Sequence, residues 1–250
     1  MSTAVRMRTA VAARNPSDAF FEQLCWARDR VLLLDYDGTI APFSAQRNRA
    51  FPYPSVPELL DCIMSTCRSR VLLISGRPAR EIPPLLGLNP HPEIWGTYGV
   101  ERLQADGQYF VDRVSDHAQH ALAEAGAWLE EAGLTQLVEM KPGAIAVHWR
   151  GLNPRQVEEA KTVAYRVLSP LARHAHLLLA EFDGGVELRE PMRSKGDVVR
   201  SVLSKYGPDV SVAYLGDVSH LKGNAAEHLD HIHIDDFDVV DLEHATPRPK

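Results

Sequence analysis

Residues 30–39, Arg-Val-Leu-Leu-Leu-Asp-Tyr-Asp-Gly-Thr, decide the fold, because an uninterrupted apolar run ends there in two carboxylates one residue apart. The run is typical of a parallel strand, which is covered on both faces and therefore lacks apolar/polar alternation. Ligands bind at the carboxyl ends of such strands. Desolvating both Asp35 and Asp37 there is costly without a cation, which indicates a hard metal ion such as Mg²⁺. Asp-Gly-Thr is also ordinary turn chemistry after a strand.

Polar residues follow two further apolar runs of the chain. Residues 71–74 and 210–215 are predicted to be buried strands, and they end in Ser75-Gly76-Arg77 and Gly216-Asp217. Between them, Ser194-Lys195-Gly196-Asp197 opens a segment whose apolar residues have helical spacing. Taken singly, these residues also fit a turn, an exposed lysine and a helix cap. Their shared order along the chain favours a functional site.

That order resembles the motifs of the haloacid dehalogenase-like (HAD) phosphohydrolases: Asp35 and Asp37, then Ser75, Lys195 and Asp217. Within that superfamily the chain is similar to the trehalose-6-phosphate phosphatases. The stretches that carry this similarity are LDYDGTI (34–40), ISGR (74–77), EMK (139–141), VHWR (147–150) and GVELR (185–189), with Lys195-Gly196 following. The resemblance covers about residues 20–217.

The resemblance implies a doubly wound, parallel-sheet α/β core with an inserted α+β cap. The sequence pattern agrees, because strands joined by tight turns and two long helical segments follow residue 101. We predict a disordered leader over 1–17, the HAD-like core over 18–103 and 189–250, and the cap over 104–188. The predicted core elements are helices at about 18–27, 58–67 and 80–86 and a strand at 94–98. The predicted cap elements are strands at 109–111, 137–141, 144–150, 176–181 and 185–188 and helices at 118–132 and 155–168.

The resemblance also implies a role for each core motif. Asp35 would be the nucleophile that forms an aspartyl-phosphate, and Asp37 would protonate the leaving oxygen and then activate water. Ser75 and Lys195 would bind phosphoryl oxygens. Mg²⁺ would be held by Asp35, the main-chain carbonyl of Asp37 and Asp217.

The resemblance also implies which residues bind the substrate, and most of them lie in the cap. They are Gly76, Arg77, Glu139, Lys141, Arg150 and Glu187. Charged groups suit a disaccharide, since they can make several hydrogen bonds to hydroxyls. Glu139 and Lys141 also fit a solvated strand face, because positions i and i+2 share a face in any strand. We assign no role to His148.

The loop after Asp217 departs from the family pattern. The family continues its late motif with several acids, whereas residues 218–223 here are Val-Ser-His-Leu-Lys-Gly. Fewer carboxylates should weaken Mg²⁺ binding. Three functions therefore stay open: trehalose-6-phosphate phosphatase, phosphatase for another sugar phosphate such as sucrose or glucosylglycerol phosphate, and a pseudophosphatase that binds a sugar phosphate without turnover.

Composition limits the possible classes of function and the cellular compartment. A net charge of −6 leaves no basic footprint for nucleic acid, and no apolar stretch approaches the roughly 20 residues that span a bilayer. Three cysteines without Cys-x-x-Cys spacing do not indicate a disulfide framework or a zinc site, so a reducing cytoplasm is expected. The expected partner is a small-molecule sugar phosphate, with a functional link to a trehalose-6-phosphate synthase.

Overall fold

The computed structural model describes residues 26–27, 29–191, 194–206 and 210–216. The predicted leader, most of the predicted helix at 18–27, Asp217 and the chain after it lie outside the described residues.

The described residues form ten strands: β1 Asp29–Asp35, β2 Arg70–Ile74, β3 Glu93–Gly96, β4 Glu101–Leu103, β5 Tyr109–Val111, β6 Val138–Lys141, β7 Ala144–His148, β8 Leu178–Phe182, β9 Gly185–Arg189 and β10 Val210–Leu215. The helices are α1 Val56–Ser65, α2 Ile82–Leu86, α3 Asp116–Glu131, α4 Pro154–His174 and α5 Lys195–Tyr206.

The first sheet has six strands in the order β10-β1-β2-β3-β4-β5. The first four of these are parallel, and β4 and β5 complete the sheet in antiparallel fashion. Helices cover both faces of β1: Leu34 packs with the residues of α1 and α2, and Leu33 packs with those of α5. Each fully buried leucine contributes about 1.5–3 kcal/mol of hydrophobic stabilisation. The continuous apolar run therefore reflects a strand that is buried on both sides, and the predicted α/β core is confirmed.

The second sheet is antiparallel, with the order β6-β7-β9-β8. Ile145, Val147 and Leu188 point from one face into a core that they share with α3 and α4. The cross-strand register places Glu139 opposite Ala146, and Ala146 opposite Glu187, on the other face. Because side chains alternate across a strand, this second face carries the polar residues of β6 and β9.

The structure corrects the predicted boundary of the cap. β5, which we assigned to the cap, pairs with β4 and so belongs to the first sheet. The elements that build the second sheet run from Asp116 to Arg189, so the boundary predicted at residue 104 is too early and that at residue 189 cuts the end of β9. A three-residue strand carries no signal that says which sheet it will join, because its partner is set by the packing of the whole chain.

Other elements also differ from their predicted bounds, and the two that matter most are α4 and β3. α4 continues through Pro170 to His174, although an interior proline costs about 3 kcal/mol. Burial of Leu168 and Leu171 on either side of the proline offsets that cost. β3 ends at Gly96, and a left-handed turn over Thr97–Gly99 replaces the predicted end of the strand.

No helix among the described residues is both long and apolar enough to cross a membrane.

Candidate active site

A cleft lies between the carboxyl end of β1 and the polar face of the second sheet. The cleft brings together all ten predicted catalytic and substrate-binding residues from the core and the cap: Asp35, Asp37, Ser75, Gly76, Arg77, Glu139, Lys141, Arg150, Glu187 and Lys195. The ion pairs and hydrogen bonds of these residues define what each part of the cleft can do.

Asp35 and Lys195 form a buried ion pair at the floor of the cleft. Asp35 is the last residue of β1, and Lys195 is the first residue of α5. Lys195 Nζ donates to Asp35 Oδ2, and each side chain is only 5% exposed. The main-chain amide of Tyr36 donates to the other carboxylate oxygen of Asp35 at 2.8 Å. A carboxylate held in this way is oriented, and Lys195 lies where a negatively charged group attached to Asp35 would need a cation.

Arg77 clamps Asp37. Its Nε and Nη2 atoms each donate to an Asp37 carboxylate oxygen at 2.7 Å, which is bidentate geometry. A third donor, Nη1, reaches the main-chain carbonyl of Arg47 at 2.9 Å. Burial alone would lower the pKa of Arg77, but the hydrogen bond and charge of Asp37 raise this pKa above its usual value. Arg77 was predicted to bind substrate, and the structure places its guanidinium on the proposed acid/base residue.

The loop Ser75–Arg77 is held by donors from two directions. Its three carbonyls accept hydrogen bonds in turn from the main-chain amide of Tyr98 at 3.0 Å, from Lys141 Nζ at 3.0 Å and from the main-chain amide of Thr97 at 2.8 Å. Ser75 Oγ accepts from the main-chain amide of Arg77 at 3.1 Å, so the hydroxyl is also positioned. The cap therefore contacts the core directly at this loop through Lys141.

The turn Thr97–Gly99, whose amides bind this loop, has two consecutive non-glycine residues with a left-handed backbone. Thr97 has φ of 45° and Tyr98 has φ of 55°, which costs about 1–3 kcal/mol for each residue that is not glycine. The turn is held by Glu101, which is 1% exposed and accepts hydrogen bonds at 2.5 Å from the Thr97 and Tyr109 hydroxyls. Neither Tyr98 nor Glu101 was singled out from the sequence, because neither belongs to a motif.

The roof of the cleft is the polar face of β6 and β9. On this face, Lys141 and Glu187 form an ion pair. Lys141 Nζ donates to Glu187 Oε2, and these side chains are 5% and 2% exposed. Arg189 lies 3.5 Å from the second oxygen of Glu187. The three charged groups come from β6 and β9 of the second sheet, and together they present both donors and acceptors to the cleft.

Glu139 is the centre of a second cluster of charged side chains on the roof. It accepts from His148 Nε2 at 2.7 Å and from Arg47, which comes from the core loop after β1. Burial opposes the ionised form, but His148, Lys141 and Arg47 together lower the pKa of Glu139 to about 2. Arg47 also pairs with Glu81 at 3.0 Å and therefore links the core to the cap. Sequence reasoning missed Arg47 and His148: the first lies in a loop without a motif, and the second was given no role.

Arg150 lies at the rim of the cleft. It donates to the main-chain carbonyl of Asp183 and, at 2.9 Å, to the carboxylate of the same residue. Its guanidinium also lies 4.6 Å from the centre of the Phe43 ring. The predicted contact of Arg150 with the sugar stays a prediction.

The described part of the chain contains no cluster of three His, Cys, Asp or Glu side chains that could hold a metal ion. The carboxylate of Asp35 and the carbonyl of Asp37 are oxygen donors of the type that Mg²⁺ prefers. The third predicted ligand, Asp217, lies outside the described residues, two positions after Leu215, which pairs with Leu34 at the end of β1. The described donors therefore fit a hard divalent cation by their chemistry.

A parallel sheet with paired aspartates at the end of its first strand, a buried lysine at the start of a later helix and a cap inserted between them are the features of the HAD-like fold. The family model for trehalose-phosphatase matches residues 33–220. The chain belongs to this family.

Comparison with individual proteins agrees. The chain is 30% identical over 204 residues to the trehalose-phosphate phosphatase of Mycobacterium bovis (strain BCG / Pasteur 1173P2), covering 76% of this chain and 49% of that protein. It is 25% identical over 193 residues to the bifunctional trehalose-6-phosphate synthase/phosphatase of Thermoproteus tenax, covering 73% of this chain and 25% of that protein. It thus spans about half the length, or less, of these curated relatives. The C-terminal domain of C. albicans trehalose-6-phosphate phosphatase has the same fold, with a TM-score of 0.65, 18% identity, and coverage of 84% of this chain and 76% of that one.

Proposed function

We propose that this protein is a phosphoric monoester hydrolase that converts trehalose 6-phosphate to trehalose and phosphate. The observation that carries the proposal is the division of the cleft into two ends. The buried Asp35 and Lys195 pair provides a nucleophile and a cation on the floor, and the charged groups around Glu139 and Glu187 face them from the roof. A phosphate at the floor would therefore leave its sugar against hydrogen-bonding groups of the cap.

In the proposed first step, a carboxylate oxygen of Asp35 attacks phosphorus and the bond from phosphorus to the sugar oxygen breaks. Lys195 and Ser75 bind the phosphoryl oxygens, and Asp37 gives a proton to the departing sugar oxygen. In the second step, Asp37 takes a proton from water, which hydrolyses the aspartyl-phosphate and restores Asp35. Both Asp37 oxygens accept hydrogen bonds from Arg77, so one of these bonds must be given up before Asp37 can carry the proton for the first step.

The proposed cofactor is Mg²⁺, held by Asp35, the main-chain carbonyl of Asp37 and Asp217. When bound, it would neutralise charge on the phosphoryl oxygens. Because residues 218–223 contain no acid, we expect weak binding, with activity that keeps rising into the millimolar range of Mg²⁺.

A functional link to a trehalose-6-phosphate synthase is part of the proposal, since such an enzyme makes the substrate. The relative from Thermoproteus tenax, whose name joins the two activities, supports this link. A cytoplasmic location is supported by Cys62 and Cys67, which are exposed free thiols and suit a reducing compartment.

The test is phosphate release from a panel of trehalose 6-phosphate, sucrose 6-phosphate, glucosylglycerol phosphate and glucose 6-phosphate, each titrated with Mg²⁺. We expect the highest kcat/KM with trehalose 6-phosphate, and loss of turnover in Asp35→Asn, which keeps the size of the side chain but removes the nucleophile. Preference for another sugar phosphate would replace the proposed substrate. Binding without turnover at any Mg²⁺ concentration would identify a pseudophosphatase.

A further inference from the structure

The left-handed turn at Thr97 and Tyr98 is costly, and it lies against the proposed phosphate-binding loop. Strained backbone persists where the surrounding structure enforces it, and it concentrates at functional sites. The enforcement here is visible: the buried carboxylate of Glu101 binds the Thr97 hydroxyl, and the amides of both turn residues bind carbonyls of Ser75 and Arg77.

The turn places the Tyr98 side chain in the wall of the cleft, where the core meets the cap. Its hydroxyl lies so near Gly76 that a β-carbon on that glycine would be 2.9 Å from it. The guanidinium of Arg189 lies 4.6 Å from the centre of the Tyr98 ring, and Lys141 Nζ lies 5.9 Å from it. Cations from both strands that flank the roof therefore hold the ring in one position.

Tyr98 lines the cleft, and its side-chain hydroxyl makes no hydrogen bond to another residue in the part of the chain that the structure describes. Burial, and then the charge of Glu187, raise the pKa of Tyr98 above its usual value, so the phenol keeps its proton and can donate. A fixed donor at this point lies between the phosphate end of the cleft, at Ser75 and Gly76, and the sugar end, at Lys141 and Glu187.

We propose that Tyr98 is a specificity-determining residue, whose hydroxyl donates a hydrogen bond to the 4-hydroxyl of the phosphorylated sugar ring, the ring hydroxyl nearest to the phosphate-bearing C6. Glu101 is the positioning residue that keeps the turn, and hence the phenol, in place. This inference rests on the proposed function, because it takes a sugar phosphate as the ligand. It extends that function by assigning the junction between phosphate and sugar to a core residue, whereas the other sugar contacts come from the cap.

The test is calorimetric titration of the full chain in an Asp35→Asn background, which prevents hydrolysis. We expect Tyr98→Phe to weaken binding of trehalose 6-phosphate by about threefold to tenfold, the range for one hydrogen bond, and to leave the affinity for inorganic phosphate unchanged. The matched control is Tyr206→Phe, on the last residue of α5 beside Arg70, which should change neither affinity. An unchanged affinity for trehalose 6-phosphate in Tyr98→Phe, or an equal loss for inorganic phosphate, overturns the inference.

A second measurement needs no variant that could disturb the fold. The 4-deoxy analogue of trehalose 6-phosphate lacks the hydroxyl that Tyr98 is proposed to contact. It should bind the parent chain more weakly than trehalose 6-phosphate, and Tyr98→Phe should weaken it no further. An analogue that binds as well as trehalose 6-phosphate contradicts the inference.

The proposed function and this inference can fail separately. If the parent binds another sugar phosphate in preference, the proposed substrate is wrong. The inference on Tyr98 is then tested with that ligand: Tyr98→Phe should weaken its binding and leave the affinity for inorganic phosphate unchanged. If the parent binds no sugar phosphate, both proposals are wrong.

Discussion

Removal of the Lys195 ammonium should strongly destabilise the protein, because its partner Asp35 is buried with it. Each side chain of the pair is only 5% exposed, so little water can solvate the carboxylate once the cation is gone. Breaking a buried ion pair by removing one partner costs about 3–5 kcal/mol. The substitution Lys195→Met keeps most of the aliphatic stem, so the loss of packing contributes little to this figure.

The control is a solvent-exposed ion pair in the same protein. Arg155 and Glu159 lie one turn apart on α4, at 2.8 Å, with side chains that are 88% and 61% exposed. Such a helical surface pair contributes about 0.3–0.5 kcal/mol. Arg155→Met should therefore change the free energy of unfolding by no more than about 0.5 kcal/mol.

Urea unfolding in a buffer that contains a chelator measures both variants, since a cation on Asp35 would mask the effect. The double variant Asp35→Asn with Lys195→Met should be more stable than the sum of the single losses predicts, because it leaves neither charge buried. If Lys195→Met lies within about 1 kcal/mol of the parent, as expected of a solvated pair, the burial argument is wrong.

Two further predictions concern the roof and the clamp on Asp37. The pKa of Glu139 is lowered to about 2, so its ionised form stabilises the folded state above the usual value of 4.5, and this contribution is lost as the pH falls from 4.5 towards 2. Between pH 6 and pH 3 the parent should therefore lose about 2 kcal/mol more unfolding free energy than Glu139→Gln, and equal losses by urea titration would contradict the assignment. Arg77→Met should lower kcat for a small aryl phosphate by about 10²-fold, because Asp37 loses both hydrogen bonds that orient it, while Arg77→Lys should lose less. A parent-like kcat in Arg77→Met would show that Asp37 is positioned by other groups.

Much of the core and its proposed site could be predicted from the sequence because the relevant signals are local. A strand that is buried on both faces needs a continuous apolar run, and β1, β2 and β10 have one. Asp35 and Ser75 follow such runs directly, and parallel strands bring their carboxyl ends to one edge. Lys195 begins a helix that has apolar residues at helical spacing. The family resemblance then gave each of these positions a proposed role.

The remaining features depend on contacts between distant segments. The sheet to which β5 belongs is set by β4 and not by its own three residues. Arg47 reaches Glu139 across 92 positions of sequence only because the loop after β1 packs under the second sheet. Such contacts leave no periodic pattern, since a single charged residue in a loop looks the same whether it meets solvent or a partner.

The sequence by itself determined the class of fold, the order of the proposed catalytic motifs and the family, because apolar periodicity and motif order are properties of the chain alone. The tertiary structure alone decided that Arg77 clamps Asp37, that Lys141 joins the cap to the loop at Gly76, and that a strained turn places Tyr98 in the cleft. The physical reason is that hydrogen-bond geometry, burial and backbone strain arise only when separate elements pack together.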